Sequence, residues 1–447
     1  MKSIRQNCSG HAGLTRRHLL FGAASATLLN VHADAEVTTA KATKLRNTAK
    51  TTIFINMNGG SSHLDTWDPK DGPWNPSDAK LNQYGGGVVL SKTYFPRLTT
   101  MTSDLLLLHS CASWEAAHER GQFYIQTSHP QNPALAGETP HIGSVVGYER
   151  GVTGLLPPFL SFNQNVQGAT FLGGPYMPMM PPASRTGVST LTHNYFGTPS
   201  QQRFEDRFAL LRDLDAGIRE APANDVVAGY AGYYDRARQM MYNPAVDAVF
   251  KFSTDDEARY GANSLGRPLI VARNAIRNKM GVAFISITQG GWDMHVGAFD
   301  RSQGSNVYQL TNDLDRAVGA LVDDLRASGD LDSTLIVMMG EFGRTPGVLN
   351  SRGGRDHYRN VMSVAMLGGG VKGGRAIGQS SATGSDIVDT GWSGNRAIYP
   401  DDVAATIYSA MGIDWTKGLD DTPSGRRFNY INPASFGTFS AVDEVFG

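Results

Sequence analysis

Long apolar blocks alternate with polar ones along this chain, and three of the apolar blocks end alike. They read T-T-I-F-I-N-M-N-G-G-S-S-H-L-D at 51–65, V-A-F-I-S-I-T-Q-G-G-W-D-M-H at 282–295 and T-L-I-V-M-M-G-E-F-G-R-T at 334–345. Each breaks at glycine, and acids or histidines follow at once. A fourth cluster, G-R-D-H-Y, occupies 354–358. Near-continuous apolar runs predict strands buried on both faces of a parallel sheet, where ligands sit beyond the carboxyl ends. The four regions therefore point to one sheet edge as the candidate active site.

Further strands are predicted at 104–110, 158–162 and 361–367, and helices at 115–127, 141–148, 306–326 and 401–411. Leu310, Leu314, Val318, Leu321, Val322 and Leu325 form an apolar stripe that should pack the third of these helices on the sheet. Apolar residues at three- and four-residue spacing make 202–280 helix-rich, which predicts a helical insertion or cap between early and late strands. Before it, 163–200 reads as loop with M-P-M-M-P-P at 177–182, which covers the site, offers a partner surface or wraps the core with its Met side chains filling gaps. G-G-G-V-K-G at 368–373 has the form of a dinucleotide fingerprint, but glycine and polar residues stand where its helix should begin. A loop or hairpin is expected there.

The chain has 447 residues, 40% of them hydrophobic, and a formal charge of −1, which suits one large α/β domain or two fused smaller ones. A near-neutral balance with no long basic run gives nucleic-acid binding no support. Arg5, Arg16 and Arg17 precede an apolar stretch at 19–31, Ala33 and Ala35 offer cleavage positions, and T-R-R-H-L-L at 15–20 resembles a twin-arginine export signal. The reading is a signal at 1–35, a tether at 36–50 and a domain at 51–447. That apolar stretch is too short to span a bilayer and no later run reaches the length. A periplasmic or secreted protein without a membrane span after signal removal is expected. With Cys8 in the signal, Cys111 stands alone, so no intramolecular disulfide can form and a small buried thiol is expected.

In an extended G-W-D-M-H, Asp293 and His295 point the same way, which suits ligation of one ion or of neighbouring ions. They read equally as a turn residue and a surface group. Asp356 and His357 are adjacent in a glycine- and arginine-rich loop, where an Asp is ordinarily an Asx-turn residue. Glu341 ends a buried strand and needs a metal or Arg344 near it. His63 and Asp65 again stand two apart, after Ser61 and Ser62. Together the clusters supply three His and four carboxylates with no thiolate, a set that fits Zn, Mn, Mg or Ca. Arg344, Arg355 and Arg359 lie near the acids, to bind an anionic ester or to neutralise carboxylates. His109 is expected in the core, and His118 opens a helix that could face the same edge.

The ordered set N-G-G-S-S-H-L-D-T-W-D-P-K, G-W-D-M-H, G-E-F-G-R-T-P, G-R-D-H-Y and A-A-T-I-Y-S-A-M-G-I-D resembles the exported, sulfatase-like bacterial family of unknown function in the alkaline phosphatase superfamily. The resemblance runs from about 51 to about 414. It implies a three-layer α/β/α sandwich around a mostly parallel sheet, alkaline phosphatase-like, with a metal-assisted hydrolase site. It also implies Ser62 at or next to the nucleophile slot, His63 and Arg344 as further catalytic residues, and Asp65, Asp293, His295, Glu341, Asp356 and His357 as metal ligands. Three features depart from the superfamily: Asn58-Gly59-Gly60 replaces the strand-end Asp, Glu341-Phe342 replaces the later strand-end Asp-His pair, and neither Cys111 nor Ser62 has a sulfatase nucleophile context. The expected function is hydrolysis of a small phosphate or sulfate ester. The alternative is a non-catalytic descendant that binds an exported protein partner.

Overall fold

The computed structural model describes residues 44–187, 201–223, 225–432 and 438–447. The expected export signal, and the part of the expected loop at 188–200, lie outside the described residues. Within the expected tether, Ala49 N donates to Ala410 O and Lys50 N to Ser333 O, both at 2.8 Å.

Seven strands form the central sheet: β1 (Thr51–Met57), β2 (Leu106–Cys111), β3 (Phe159–Phe162), β4 (Phe284–Gln289), β5 (Thr334–Met339), β6 (Met362–Leu367) and β7 (Arg375–Ile377). Their spatial order is β7-β2-β6-β5-β1-β4-β3. β1 runs parallel between β5 and β4, with Ile53 opposite Ile336 on one side and Ile285 on the other. β3 is parallel to β4 and β7 to β2, whereas β6 is antiparallel to both β2 and β5. The expected strands all form, their ends shifted by a residue or two. β7 is too short for any hydrophobic period to show it.

The expectation of strands buried on both faces holds. Ile53, Ile55 and Met57 of β1 join one apolar cluster and Phe54 the other; along β5, Ile336 and Met338 alternate with Leu335, Val337 and Met339 in the same way. The helices are α1 (His118–Thr127), α2 (Ile142–Arg150), α3 (Gln201–Leu214), α4 (Ala216–Glu220), α5 (Asp225–Met240), α6 (Pro244–Phe250), α7 (Thr254–Tyr260), α8 (Gly266–Arg277), α9 (Val307–Ser328) and α10 (Pro400–Ala410). α8 and α9 seal the first cluster with Leu269, Ile270, Leu314, Val318 and Leu321. α2 and α10 seal the second with Val145, Val146, Val403 and Ile407. The chain is thus a three-layer α/β/α sandwich around a mostly parallel sheet.

α9 starts where Asn306 accepts a hydrogen bond from Gln309 N at 3.0 Å and stops at Gly329 in the left-handed region. Its expected stripe is buried throughout. Cys111 is a free, buried thiol, and His109 is a buried strand residue bonded to Trp67 O at 2.9 Å. Among the described residues no helix is long and apolar enough to cross a membrane.

α7, α8 and α9 are joined by one carboxylate. Asp324 accepts from Arg259 at 2.7 Å, Arg273 at 2.8 Å and Tyr260 at 2.8 Å. Burial opposes its charge, but these hydrogen bonds outweigh burial and hold its carboxyl well below the usual range. A depressed folded pKa contributes stability above the unfolded value, near 4, and that contribution fades as pH falls below it. Asp324→Asn should therefore cost about 3 kcal/mol at pH 7, read by urea denaturation, and the gap from wild type should narrow as the pH is taken below about 4.

Candidate metal centre

The parallel strands send their carboxyl ends to one edge, and antiparallel β6 presents its amino end there. Segments after β1, β2, β4 and β5 and the segment before β6 therefore converge. The turn after β4 continues extended: Trp292 and Met294 are buried, while Asp293 and His295 face the other way, as their two-residue spacing requires. Trp292 N donates to Asn58 O at 3.1 Å, tying this segment to the turn after β1. Gly59 makes that approach possible. At its φ of +110° a Cβ would fall 2.3 Å from Asp293 N, so only glycine lets the two backbones pack. A short ladder pairs Gly343 with Tyr358 and Arg344 with His357, and α1 brings in His118 as its first residue.

The outcome is a compact group. One ligand atom from each of His118, Asp293, His295 and His357 lies within 4.8 Å of every other. Asp293 Oδ1 is 3.2 Å from His118 Nε2, 3.1 Å from His295 Nε2 and 3.7 Å from His357 Nε2. His295 Nε2 and His357 Nε2 are 3.0 Å apart.

The outward nitrogens are all engaged. His118 Nδ1 contacts Glu341 Oε1, His295 Nδ1 contacts Asp356 Oδ1 and His357 Nδ1 contacts Ala116 O, each at 2.7 Å. Carboxylates and carbonyls only accept, so Nδ1 carries the proton in each ring, and an imidazole so held, when neutral, turns an Nε2 lone pair inward. His118 Nε2 is buried and has no hydrogen-bond partner of good geometry. Two such lone pairs 3.0 Å apart repel unless a cation or proton lies between them. Tetrahedral ligands around an ion at 2.0–2.1 Å would stand about 3.3 Å apart, so the spacing fits a divalent cation. Three imidazoles and one carboxylate form a donor set that could hold a divalent ion.

Arg344, 2% exposed in its side chain, braces the group. Nε donates to Gly60 O at 2.9 Å, Nη1 to Arg355 O at 3.0 Å and to His295 Nε2 at 3.3 Å, and Nη2 to Gly59 O and Asp293 Oδ1. All five of its N–H bonds are thereby committed. Burial works against an ionised Asp293, but the Arg344 hydrogen bond and charge prevail and hold its carboxyl below the ordinary value. The Glu341 hydrogen bond raises His118, whereas burial lowers His357.

Of the residues expected from the sequence, Asp293, His295 and His357 meet in the group. Glu341 and Asp356 hold imidazoles from outside it. Glu341 also accepts from Gly59 N and Gly60 N, both at 3.0 Å. Asp65 lies elsewhere, in a buried ion pair with Arg355 at 2.8 Å, and His63 is buried against Gly384 O at 2.8 Å. Ser62 Oγ is buried with no hydrogen-bond partner. His118 completes the set; its place at a helix start after a strand was the sole sign of it in the sequence. The Ala116 carbonyl, a backbone group, leaves no such sign.

Residues 49–434 match the family model described as "Protein of unknown function (DUF1501)". The chain belongs to that family. No curated protein matches it. Among solved structures it is similar to the PsFucS1 sulfatase from Pseudoalteromonas sp., at 11% identity and a TM-score of 0.38 over 85% of this chain and 70% of that one. A protein in the alkaline phosphatase superfamily from Vibrio parahaemolyticus gives 11% and 0.35 over 83% and 68%. The alkaline phosphatase from the Antarctic bacterium TAB5 gives 12% and 0.36 over 82% and 99%.

Both oxygens of Glu341 face N–H donors, so Glu341→Gln must turn its NH2 toward one of them. Metal affinity, measured by competition with a chromophoric chelator, should fall about 10- to 100-fold. Asp300→Ala, outside the group, should leave it unchanged.

Proposed function

We propose that this DUF1501 protein is an exported, metal-dependent hydrolase of a phosphate or sulfate ester. The observation that carries the reading is the convergence of three Nε2 lone pairs and Asp293 at the sheet edge, with side chains still 26–48% exposed to solvent. A divalent cation held there would act as a Lewis acid on an ester oxygen and lower the pKa of water. The chain's own residues do the rest: Glu341, Asp356 and Ala116 O fix the rings, and Arg344 keeps Asp293 ionised.

Two of the roles implied by resemblance need rearrangement. Arg344 can hold an ester oxygen only by releasing Asp293, His295 or a carbonyl. Ser62 Oγ has no access from solvent, so attack by water is favoured over attack by serine. A panel of aryl phosphates and sulfates with Zn, Mn, Mg or Ca supplied should reveal turnover that Asp293→Asn lowers at least about 100-fold. Ser62→Ala should retain it. Lost turnover in Ser62→Ala with metal content unchanged would make Ser62 the nucleophile.

A second reading is a non-catalytic periplasmic protein that binds an exported partner, which the full commitment of Arg344 favours. No turnover across the panel, with metal bound, would select it. For export, the pair Arg16-Arg17 ahead of the apolar stretch supports the twin-arginine route and a periplasmic or secreted location. Changing both to Lys should leave precursor in the cytoplasm on a fractionation blot; normal processing would exclude that route.

A further inference from the structure

We infer that the cavity lined by the segments leading to His118 and from His357 is a subsite for a ring-bearing part of the substrate that carries a negative charge of its own, apart from the reacting ester. The cavity measures about 530 Å³ and is lined by Trp114, Tyr124, Tyr399, Arg359 and Asn360, among others. That volume lies within the range of small-molecule sites, roughly 300–1,000 Å³, and the mixture of aromatic walls with a few polar groups is characteristic of them.

The walls are held rigid. Trp114 stacks on Tyr399 with ring centroids 3.7 Å apart and planes 4° from parallel. Trp114 Nε1 and Tyr124 Oη donate to opposite oxygens of Asp401, at 3.0 and 3.1 Å. With those polar ends satisfied, what Trp114 and Tyr124 offer the cavity is apolar ring surface. Asp401 is fully buried, so this anchor is shielded from competing water.

Arg359 supplies a positive charge, and the carboxylate that also lines the cavity, Glu115, is paired with Arg120 at 2.8 Å. Arg359 is exposed, its Nη1 donates to Trp114 O at 3.2 Å, and no carboxylate among the described residues pairs with it. A guanidinium beside aromatic walls suits an oxyanion attached to a ring.

The cavity is continuous in chain with the metal group. Ser113 N donates to Arg359 O at 2.8 Å and His357 Nδ1 to Ala116 O at 2.7 Å, so 113–118 and 357–359 run side by side from the cavity to His118 and His357. A substrate in the cavity thus lies on the two segments that carry two of the four ligand residues.

This subsite rests on the proposed hydrolase for its reaction but not for its binding, and the test separates the two. Calorimetry with Asp293→Asn protein in chelator measures binding alone, using 4-carboxyphenyl phosphate, phenyl phosphate and methyl phosphate. The carboxylated ring should bind about tenfold tighter than phenyl phosphate, and methyl phosphate should bind weakest. Arg359→Ala, at an exposed position, should erase the advantage of the carboxylate while keeping that of the ring. In the metal-loaded wild type, the same substitution should raise KM for the carboxylated substrate and leave kcat unchanged. Binding that ignores both ring and Arg359 would overturn the subsite, even if turnover occurs. Arg359-dependent binding without turnover would leave the subsite standing and remove the hydrolase.

Discussion

Glu341 is the carboxylate on which this site depends. It has no solvent exposure, and an ion in that position persists only if its surroundings supply the hydrogen bonds that water would have given. They come from the Gly59 and Gly60 amides and from His118 Nδ1. One side chain at the end of β5 thus fixes the turn after β1 and the first residue of α1. The remaining geometry follows from that junction. The glycine turn, held by its amides, lets the Asp293 backbone approach, and His118, held by Nδ1, must aim Nε2 at Asp293.

Much of the framework was legible in the sequence because it depends on local pattern. β1, β4 and β5 are uninterrupted apolar runs, α9 carries a stripe with a three- and four-residue period, and Asp293 and His295 share a side by strand parity. Even the edge was legible, since parallel strands deliver their following loops together. What local pattern cannot encode is which acid meets which base. Asp65 and Arg355 are 290 residues apart and Arg344 reaches Asp293 across 51, so only the folded chain decides that the first pair is a brace and the second part of the site. The same holds for Glu341: strand-end burial announced a partner, but a histidine and two amides fill that place instead of a metal or Arg344. His118 stayed in the background because a helix-opening histidine has no spacing to mark it.

The two buried arginines show how similar sequence context separates into different work. Arg355 and Asp65 are 2% and 3% exposed, and the guanidinium is completed by the carbonyls of Thr345 and Gly347, which fixes the loop that carries Asp356 and His357. Arg344 is equally buried, yet it reaches Asp293, which is 48% exposed. A buried cation bonded to a half-exposed carboxylate both preserves the negative charge of that carboxylate and competes for its oxygen. Any cation entering the group must share Asp293 Oδ1 with Arg344.

Charge balance then bears on how many ions the edge can hold. Asp293, Glu341 and Asp356 contribute three negative charges, Arg344 returns one positive charge at Asp293, and Arg352 stands 3.6 Å from Asp356 at the exposed rim. The negative charge that remains is no more than a single divalent cation carries. A second would leave a positive excess in a partly desolvated pocket, where unmatched charge is costly, unless a dianionic ester arrived with it. Glu341 spends both oxygens on an imidazole and two backbone amides, so it cannot become a full ligand without releasing them, and Asp356 Oδ1 is committed to the His295 ring. One cation, with two of its imidazole ligands oriented by acids standing just behind them, is the arrangement that the charges at this edge favour.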